Sequence, residues 1–267
     1  MAKLFLGNRE VTPSIYIRGN GISREVSPQG VYQMPASSFT FSLPSNATDI
    51  STRAMYYAFE NCTGVTSANL SSLTTLSGES AMYMAFYRCS NLISVDLSSL
   101  VSITASGAMY LAFRYCESLT SVNLSNLTTL SSTNAMNSAF DGTALSNVDL
   151  SSLTTVSGLG ALRCVFYNCE SLTSVDLSNL TTLSGSGALI YAFHGCTSLT
   201  SLSFPSLNSN SFGSIYTNQF ENMLSEVTGC TVHFPSNLQL VIGSWSDVTA
   251  GFGGTNTTVL FDLPATT

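Results

Sequence analysis

The chain has 267 residues, enough for one large domain or two ordinary ones. Only 9% of them are charged against 44% hydrophobic, while Ser and Thr together number 75, so uncharged hydroxyls replace the usual ionic surface. A formal charge of -7 with Lys3 as the sole lysine argues against a phosphate backbone as partner, and no apolar run reaches membrane-spanning length, so nucleic acid and membrane insertion are both set aside.

In chain order, residues 1 to 34 come first. Met1 to Leu6 (MAKLFL) lacks a signal-length apolar stretch and a small-residue cleavage site, so export by that route is not expected. Leu4 to Leu6, the turn-like Gly7-Asn8 and the Val11 to Ile17 run predict a β-rich cap or attachment arm, followed by Gly, Ser and Pro-rich chain to Pro35.

Residues 35 to 234 are dominated by an internal repeat. Ala-Phe-x-x-Cys recurs at Ala58-Phe59 with Cys62, Ala85-Phe86 with Cys89, Ala112-Phe113 with Cys116, and Ala192-Phe193 with Cys196. Phe140 and Phe166 occupy the same slot, with Thr143 and Cys169 in the cysteine place, and Phe220 begins a degenerate seventh copy. The period is about 27 residues. Ten residues after most of these phenylalanines comes a strand-like segment such as Val95-Asp96-Leu97, whose alternation puts Val95 and Leu97 on one face and Ser94, Asp96 and Ser98 on the other. So short a strand cannot bury its apolar face alone, and stacking equivalent rungs about 4.8 Å apart solves that. Segments such as Ala108 to Phe113 suit one or two helical turns returning behind the sheet, with Gly78, Gly107, Gly158 and Gly187 punctuating the approach. The fold expected is therefore an α/β solenoid: a right-handed superhelix of about seven rungs, one parallel β-sheet, short helical turns opposite, and capped ends. Residues 235 to 267, with Gly243, Trp245, Gly251, Gly253, Gly254 and the Val259 to Leu263 strand, are expected to cover the last rung.

The pattern Ala-Phe-x-x-Cys-x-x-Leu-x-x-Val-x-Leu, in Ala85 to Leu97 and again in Ala112 to Leu124, resembles the BspA-like class of leucine-rich repeats. It departs from that class in its 27-residue length and in Ser rather than Pro after the strand leucine, except at Pro44, Pro205 and Pro235. The resemblance implies a solenoid used for adhesion or protein recognition, without catalysis. The opening, MAKLFLGNREVTP, is similar in style to short N-terminal segments of phage tail-associated proteins, which implies baseplate or tail proteins as partners of residues 1 to 34.

Chemical groupings are scarce. Stacked cysteines present parallel side chains one strand spacing apart, a poor match to disulfide geometry, and Cys164 and Cys169 have no histidine at zinc-ligand distance, so the thiols are expected to be buried and free. His194 and His233 stand at nonequivalent positions, His194 at an exposed one, and form no Ser/His/Asp or Cys/His grouping. No catalytic residue, metal site or cofactor is expected.

Two surfaces remain. One is the outward strand column Asn69, Asp96, Asn123, Asp149, Asp176 and Ser203, which reads as a solvated polar ladder. The other is the pair of slots flanking each Ala-Phe, where the copies differ. Those slots carry Tyr56, Tyr57, Tyr83, Tyr87, Arg88, Tyr110, Arg114, Tyr115, Arg163, Tyr167, Tyr191 and His194, the candidate ligand-binding residues, because Tyr and Arg are enriched in binding hot spots. The competing reading has these tyrosines lying flat and shielding the Met and Phe beneath them. Taken together, the expectation is a non-enzymatic recognition or adhesion module for a cell-surface protein or glycan, displayed extracellularly or on a virion. A structural spacer in a larger particle, or a cytoplasmic scaffold, is the alternative.

Overall fold

The computed structural model describes residues 38–212, 219–240 and 251–265, together with four short strands near the start. Pro35, Gly243 and Trp245 lie outside the described residues. In the expected arm, β1 (Leu4–Leu6) pairs antiparallel with β2 (Arg9–Val11), and β3 (Ile15–Arg18) with β4 (Gly21–Arg24).

From Phe39 onward the chain is a parallel β-solenoid in which each turn has three sides. The front carries β5 (Phe39–Ser42), β6 (Val65–Asn69), β8 (Ser94–Asp96), β10 (Ser121–Asn123), β12 (Asn147–Asp149), β14 (Ser174–Asp176), β16 (Ser201–Ser203), β17 (Thr231–Pro235) and β18 (Thr258–Leu263). The second side is a five-stranded sheet of two-residue strands, β7 (Thr75–Leu76), β9 (Ser102–Ile103), β11 (Thr129–Leu130), β13 (Thr155–Val156) and β15 (Thr182–Leu183), so there are two ladders where one was expected. Nine front strands enclose eight turns, one more than expected. The reason is that β5 and β18 stack in parallel on β6 and β17 although neither follows an Ala-Phe-x-x-Cys copy.

The third side differs from expectation in kind. It is a ribbon of consecutive β-turns, not a helix. In the first described rung the amides of Arg53, Met55, Tyr57, Phe59 and Asn61 donate to carbonyls of Glu79, Ala81, Tyr83, Ala85 and Tyr87 on the next rung. The alternate amides of Ala54, Tyr56, Ala58, Glu60 and Cys62 close turns onto the carbonyl three residues back. Every fourth residue has positive φ, 55° at Arg53, 54° at Tyr57 and 57° at Asn61, the conformation a type II turn needs at its third position. The outcome is an in-in-out-out pattern of period four: Ala54-Met55 and Ala58-Phe59 are buried or nearly so, and the pairs after them face outward. Over so short a stretch this mimics an amphipathic helix.

Inside, Phe59, Phe86, Phe113, Phe140, Phe166 and Phe193 form a ladder of near-parallel rings with centroids 5.0 to 6.0 Å apart. Each is buried, a contribution of about 1.5 to 3 kcal/mol per ring from removing its surface from water. The cysteines sit beside this ladder. The thiols of Cys89, Cys116, Cys169 and Cys196 donate to the carbonyls of Phe59, Phe86, Phe140 and Phe166 one rung earlier, at 3.0 to 3.1 Å. Thr143, in the cysteine slot, donates its hydroxyl to Phe140 at 2.9 Å. Asn126 and Asn179, within Asn-x-Thr sequons, clip rungs together by donating to the carbonyls of Ser98 and Ser151.

The front is not one continuous sheet. It runs β5-β6-β8-β10, restarts as β12-β14 and restarts again as β16-β17-β18. The first break has a sequence cause: Cys116 precedes Leu119 by three residues, but Thr143 precedes Leu145 by two. That missing residue shortens the approach to β12, while the β9-β11-β13 ladder and the ribbon continue across it.

Candidate recognition face

The slots flanking Ala-Phe all fall on the ribbon, because the two residues between each inward pair must point outward. At the early rungs Tyr56 stacks on Tyr83 (4.8 Å between centroids), Tyr57 meets Tyr83 edge-on (5.4 Å), and Tyr83 continues to Tyr110 (5.4 Å). In the parallel column Tyr87 lies 5.8 Å from Tyr115, with the Arg88 guanidinium 5.2 Å from the Tyr87 ring and 5.6 Å from that of Tyr115. Arg114 lies over Tyr115 at 4.5 Å and donates to its hydroxyl at 2.8 Å. At the later rungs Tyr167 stacks on His194 at 4.1 Å, Tyr191 meets that imidazole edge-on, and Arg163 lies 5.9 Å from the Tyr191 ring. The candidate residues thus form an early cluster and a late one, separated by the small polar residues Asn137, Ser138 and Gly142. All eight tyrosines are half-buried, six of them packed edge and face against one another and Tyr167 and Tyr191 against His194, and each still presents surface to solvent.

Three details refine the expectation. His194 is 8% exposed rather than open to solvent, because Tyr167 and Tyr191 close on it and its Nε2 lies 3.4 Å from the Glu226 carboxylate on the next rung. Arg114 has a structural partner: its Nε is 2.7 Å from Oδ2 of Asp141, whose side chain is 4% exposed. Burial pushes the Asp141 carboxyl up to about 6 although Arg114 draws it down; burial also opposes the Arg114 charge, but Asp141 and the adjacent tyrosines more than offset that. Arg53 belongs to the face too, 5.7 Å from the Tyr56 ring, although it stands outside the slots flanking Ala-Phe. The signal for it was available: Arg53 stands one period before Ser80 and two before Gly107, in the column whose backbone turns outward.

The strand column has a local duty. Oδ1 of Asn69, Asp96, Asn123, Asp149 and Asp176 accepts the amide of the serine two residues on, Ser71, Ser98, Ser125, Ser151 and Ser178, at 2.9 to 3.2 Å. This accounts for serine after the strand leucine: where the column residue is Ser42 or Ser203, the position two on is Pro44 or Pro205, which has no amide to give. The Ser151 bonds hold Asp149 below the usual carboxylate range. Asp149 and Asp176 are paired in register, the unrelieved carboxylate pair read from the sequence, and with Ser203 they line a shallow depression of about 560 Å³ where β14 does not pair with β16.

His233, on β17, lies 2.9 Å from both Asp262 oxygens, on the front of the coil, whereas His194 is on the ribbon. Among the described residues no group of three or more His, Cys, Asp and Glu side chains is placed to hold a metal, and no helix is long and apolar enough to cross a membrane.

No curated protein matches the chain significantly. Among solved structures it is similar to a leucine-rich repeat protein from Bacteroides ovatus at 16% identity, covering 97% of this chain and 76% of that one, with a TM-score of 0.47. It is similar also to the pneumococcal vaccine antigen PcpA, at 16% identity with 93% and 48% covered and a TM-score of 0.48. A leucine-rich cell surface protein from Faecalibacterium prausnitzii aligns over 93% and 95% at 17% identity and a TM-score of 0.26. The model of the BspA type leucine-rich repeat region matches residues 29–160, 85–225 and 163–241 in six copies. With nearly all of the rungs inside those matches, the chain belongs to the BspA-type leucine-rich repeat family.

Proposed function

We propose that the protein is a non-enzymatic recognition or adhesion module for a cell-surface protein or glycan, and that the ribbon face makes the contact. The observation that carries this reading is the gathering of every varied Tyr and Arg slot onto one side of an otherwise repetitive scaffold. A slot that differs between rungs is not dictated by the core, and partly exposed tyrosines held by one another offer contact area at small entropic cost. Membership of the BspA-type family supports a surface binding or adhesion role. Display outside the cell belongs to the same proposal. The test is retention of bacterial envelope fractions by the immobilised chain, wild type against Tyr87→Ala with Arg88→Ala, two residues whose side chains take no part in the core. Loss of retention at unchanged melting temperature supports the face, while a chain that retains nothing is a spacer.

A second reading rests on the depression at Asp149, Asp176 and Ser203 on the front. Retention that survives the ribbon substitutions and is lost in Asp149→Ala would move the site there.

A further inference from the structure

The chain carries eight basic residues, and four of them, Arg53, Arg88, Arg114 and Arg163, lie in the solenoid. All four are on the ribbon, and each guanidinium lies within 6 Å of a tyrosine ring centroid. The front column carries Asp96, Asp149 and Asp176 and no arginine. In a protein of net charge -7 the guanidiniums of the solenoid are thus confined to one side of the coil, where the carboxylates are Asp141, paired with Arg114, Glu60 on the Phe59 rung, Glu79 on the Phe86 rung, and Glu221 and Glu226 on the Phe220 rung. Arg114 is committed to Asp141, but among the described residues Arg53, Arg88 and Arg163 pair with no carboxylate. Arg88 and Arg163 are exposed. A guanidinium resting on an aromatic face is held in place with hydrogen-bonding capacity left over, which suits a planar or tetrahedral oxyanion.

We infer that the ribbon face binds an anionic polysaccharide, one bearing carboxylate or sulfate groups along a repeating chain. The inference rests on the ribbon reading above and names its ligand class. Charge selects an anion, and the rest of the arrangement selects a polymer of sugars. Tyrosine rings flank the arginines and can pack against the apolar faces of sugar rings, and the groups recur along the coil in an early and a late cluster, on rungs about 4.8 Å apart. A ligand with its own repeat engages several such groups at once, so individually weak contacts add through effective concentration. Glu60 on the Phe59 rung and Glu221 and Glu226 on the Phe220 rung lie toward the two ends of the track, and Glu79 lies within it on the Phe86 rung.

The experiment uses the whole chain in affinity electrophoresis and calorimetry with heparin, polygalacturonate, neutral dextran and poly-L-glutamate. Expected is binding to heparin or polygalacturonate that weakens with added salt and is absent with dextran. Arg88→Gln and Arg163→Gln should each weaken it about tenfold at unchanged melting temperature, as loss of one charge-assisted hydrogen-bonding group does. Binding of poly-L-glutamate alone would overturn the inference in favour of an acidic protein, and equal binding of dextran would remove the role of charge. If no anion binds while envelope retention is still lost in Tyr87→Ala with Arg88→Ala, the ligand class is wrong and the face stands. If retention too is unaffected by that pair, both fall together.

Discussion

Asp141 bears a cost that the rest of the face avoids. Its carboxyl is buried beside Arg114, and burial outweighs the pairing, so the folded protein holds that proton more tightly than the unfolded chain. With the folded value near 6 and the unfolded value near 4, the contribution of this group is present below about pH 4 and is lost as pH rises through about 6. Asp141→Asn should remove that fall: between pH 4 and pH 7 the wild type should lose on the order of 2 kcal/mol more stability than the variant in urea unfolding. Parallel curves for the two proteins would show that the carboxylate ionises without penalty. The cysteines act differently at this scale. Burial pushes the thiols of Cys89, Cys169 and Cys196 up, keeping them protonated, and the proton is what each donates to the preceding phenylalanine carbonyl. Thr143, in the same slot, also satisfies its buried donor on a phenylalanine carbonyl, but on that of Phe140 in its own rung, three residues back.

The ribbon is the element whose chemistry is least forgiving, and two of its glycines separate two kinds of constraint. Gly107 has a φ of +59° but open space, since an added Cβ would lie 3.7 Å from its nearest neighbours. Gly158 lacks that φ, but an added Cβ would sit 1.9 Å from the Ser132 carbonyl oxygen of the preceding rung. Gly107→Ala should therefore cost about 1 to 2 kcal/mol, the price of a left-handed backbone. Gly158→Ala, which must push two rungs apart, should cost more than 3 kcal/mol or prevent folding. Chemical denaturation of both variants checks the order, and a reversed order would mean that conformation outweighs contact here. The rungs, the Val95-type strands and the buried phenylalanine ladder were legible in the sequence because apolar residues return at a fixed period and only stacking satisfies them. The ribbon is not distinguished from a helix by its burial pattern. From Ala54 to Cys62 a period of four and a period of 3.6 place nearly the same residues inward. What distinguishes them is the column of glycine and asparagine at Gly107, Asn134, Gly160 and Gly187, residues suited to positive φ at a spacing no helix requires. The candidate slots were found because they vary between copies. Whether their tyrosines stood free or packed on one another depends on contacts between rungs, which one repeat's pattern does not contain. The same applies to Arg114, whose partner Asp141 lies one rung away.

At the scale of the whole molecule the rungs are coupled by three ladders, and one of them is cut. β10 and β12 are adjacent but unpaired, whereas the ribbon crosses the same junction intact, with Met109 bonded to Ala135 and Phe113 to Ala139. Hydrogen exchange should accordingly be faster in peptides spanning Ser121–Asn123 than in those spanning Ser94–Asp96, while Ala108 to Phe113 stays protected. Uniform protection along the front would show that the one-residue deletion is absorbed without loss. The stack holds at this point through its ribbon and second sheet, as expected for a coil in which each rung contacts only its neighbours.

The ribbon bonds also all run one way. At each successive rung the amides that leave the turn point toward the C-terminal end and the carbonyls that receive them point back, from Arg53 through Tyr115 and Cys164 to Leu224. Front strands alternate the two directions and cancel. The ribbon does not, so it sums its peptide dipoles along the coil as a helix does along its own axis, with the positive pole at the last rung. The solenoid is thus a vector: its two ends differ electrically as well as in shape, copies could be appended to it only head to tail, and a charged ligand lying along the ribbon has a preferred polarity.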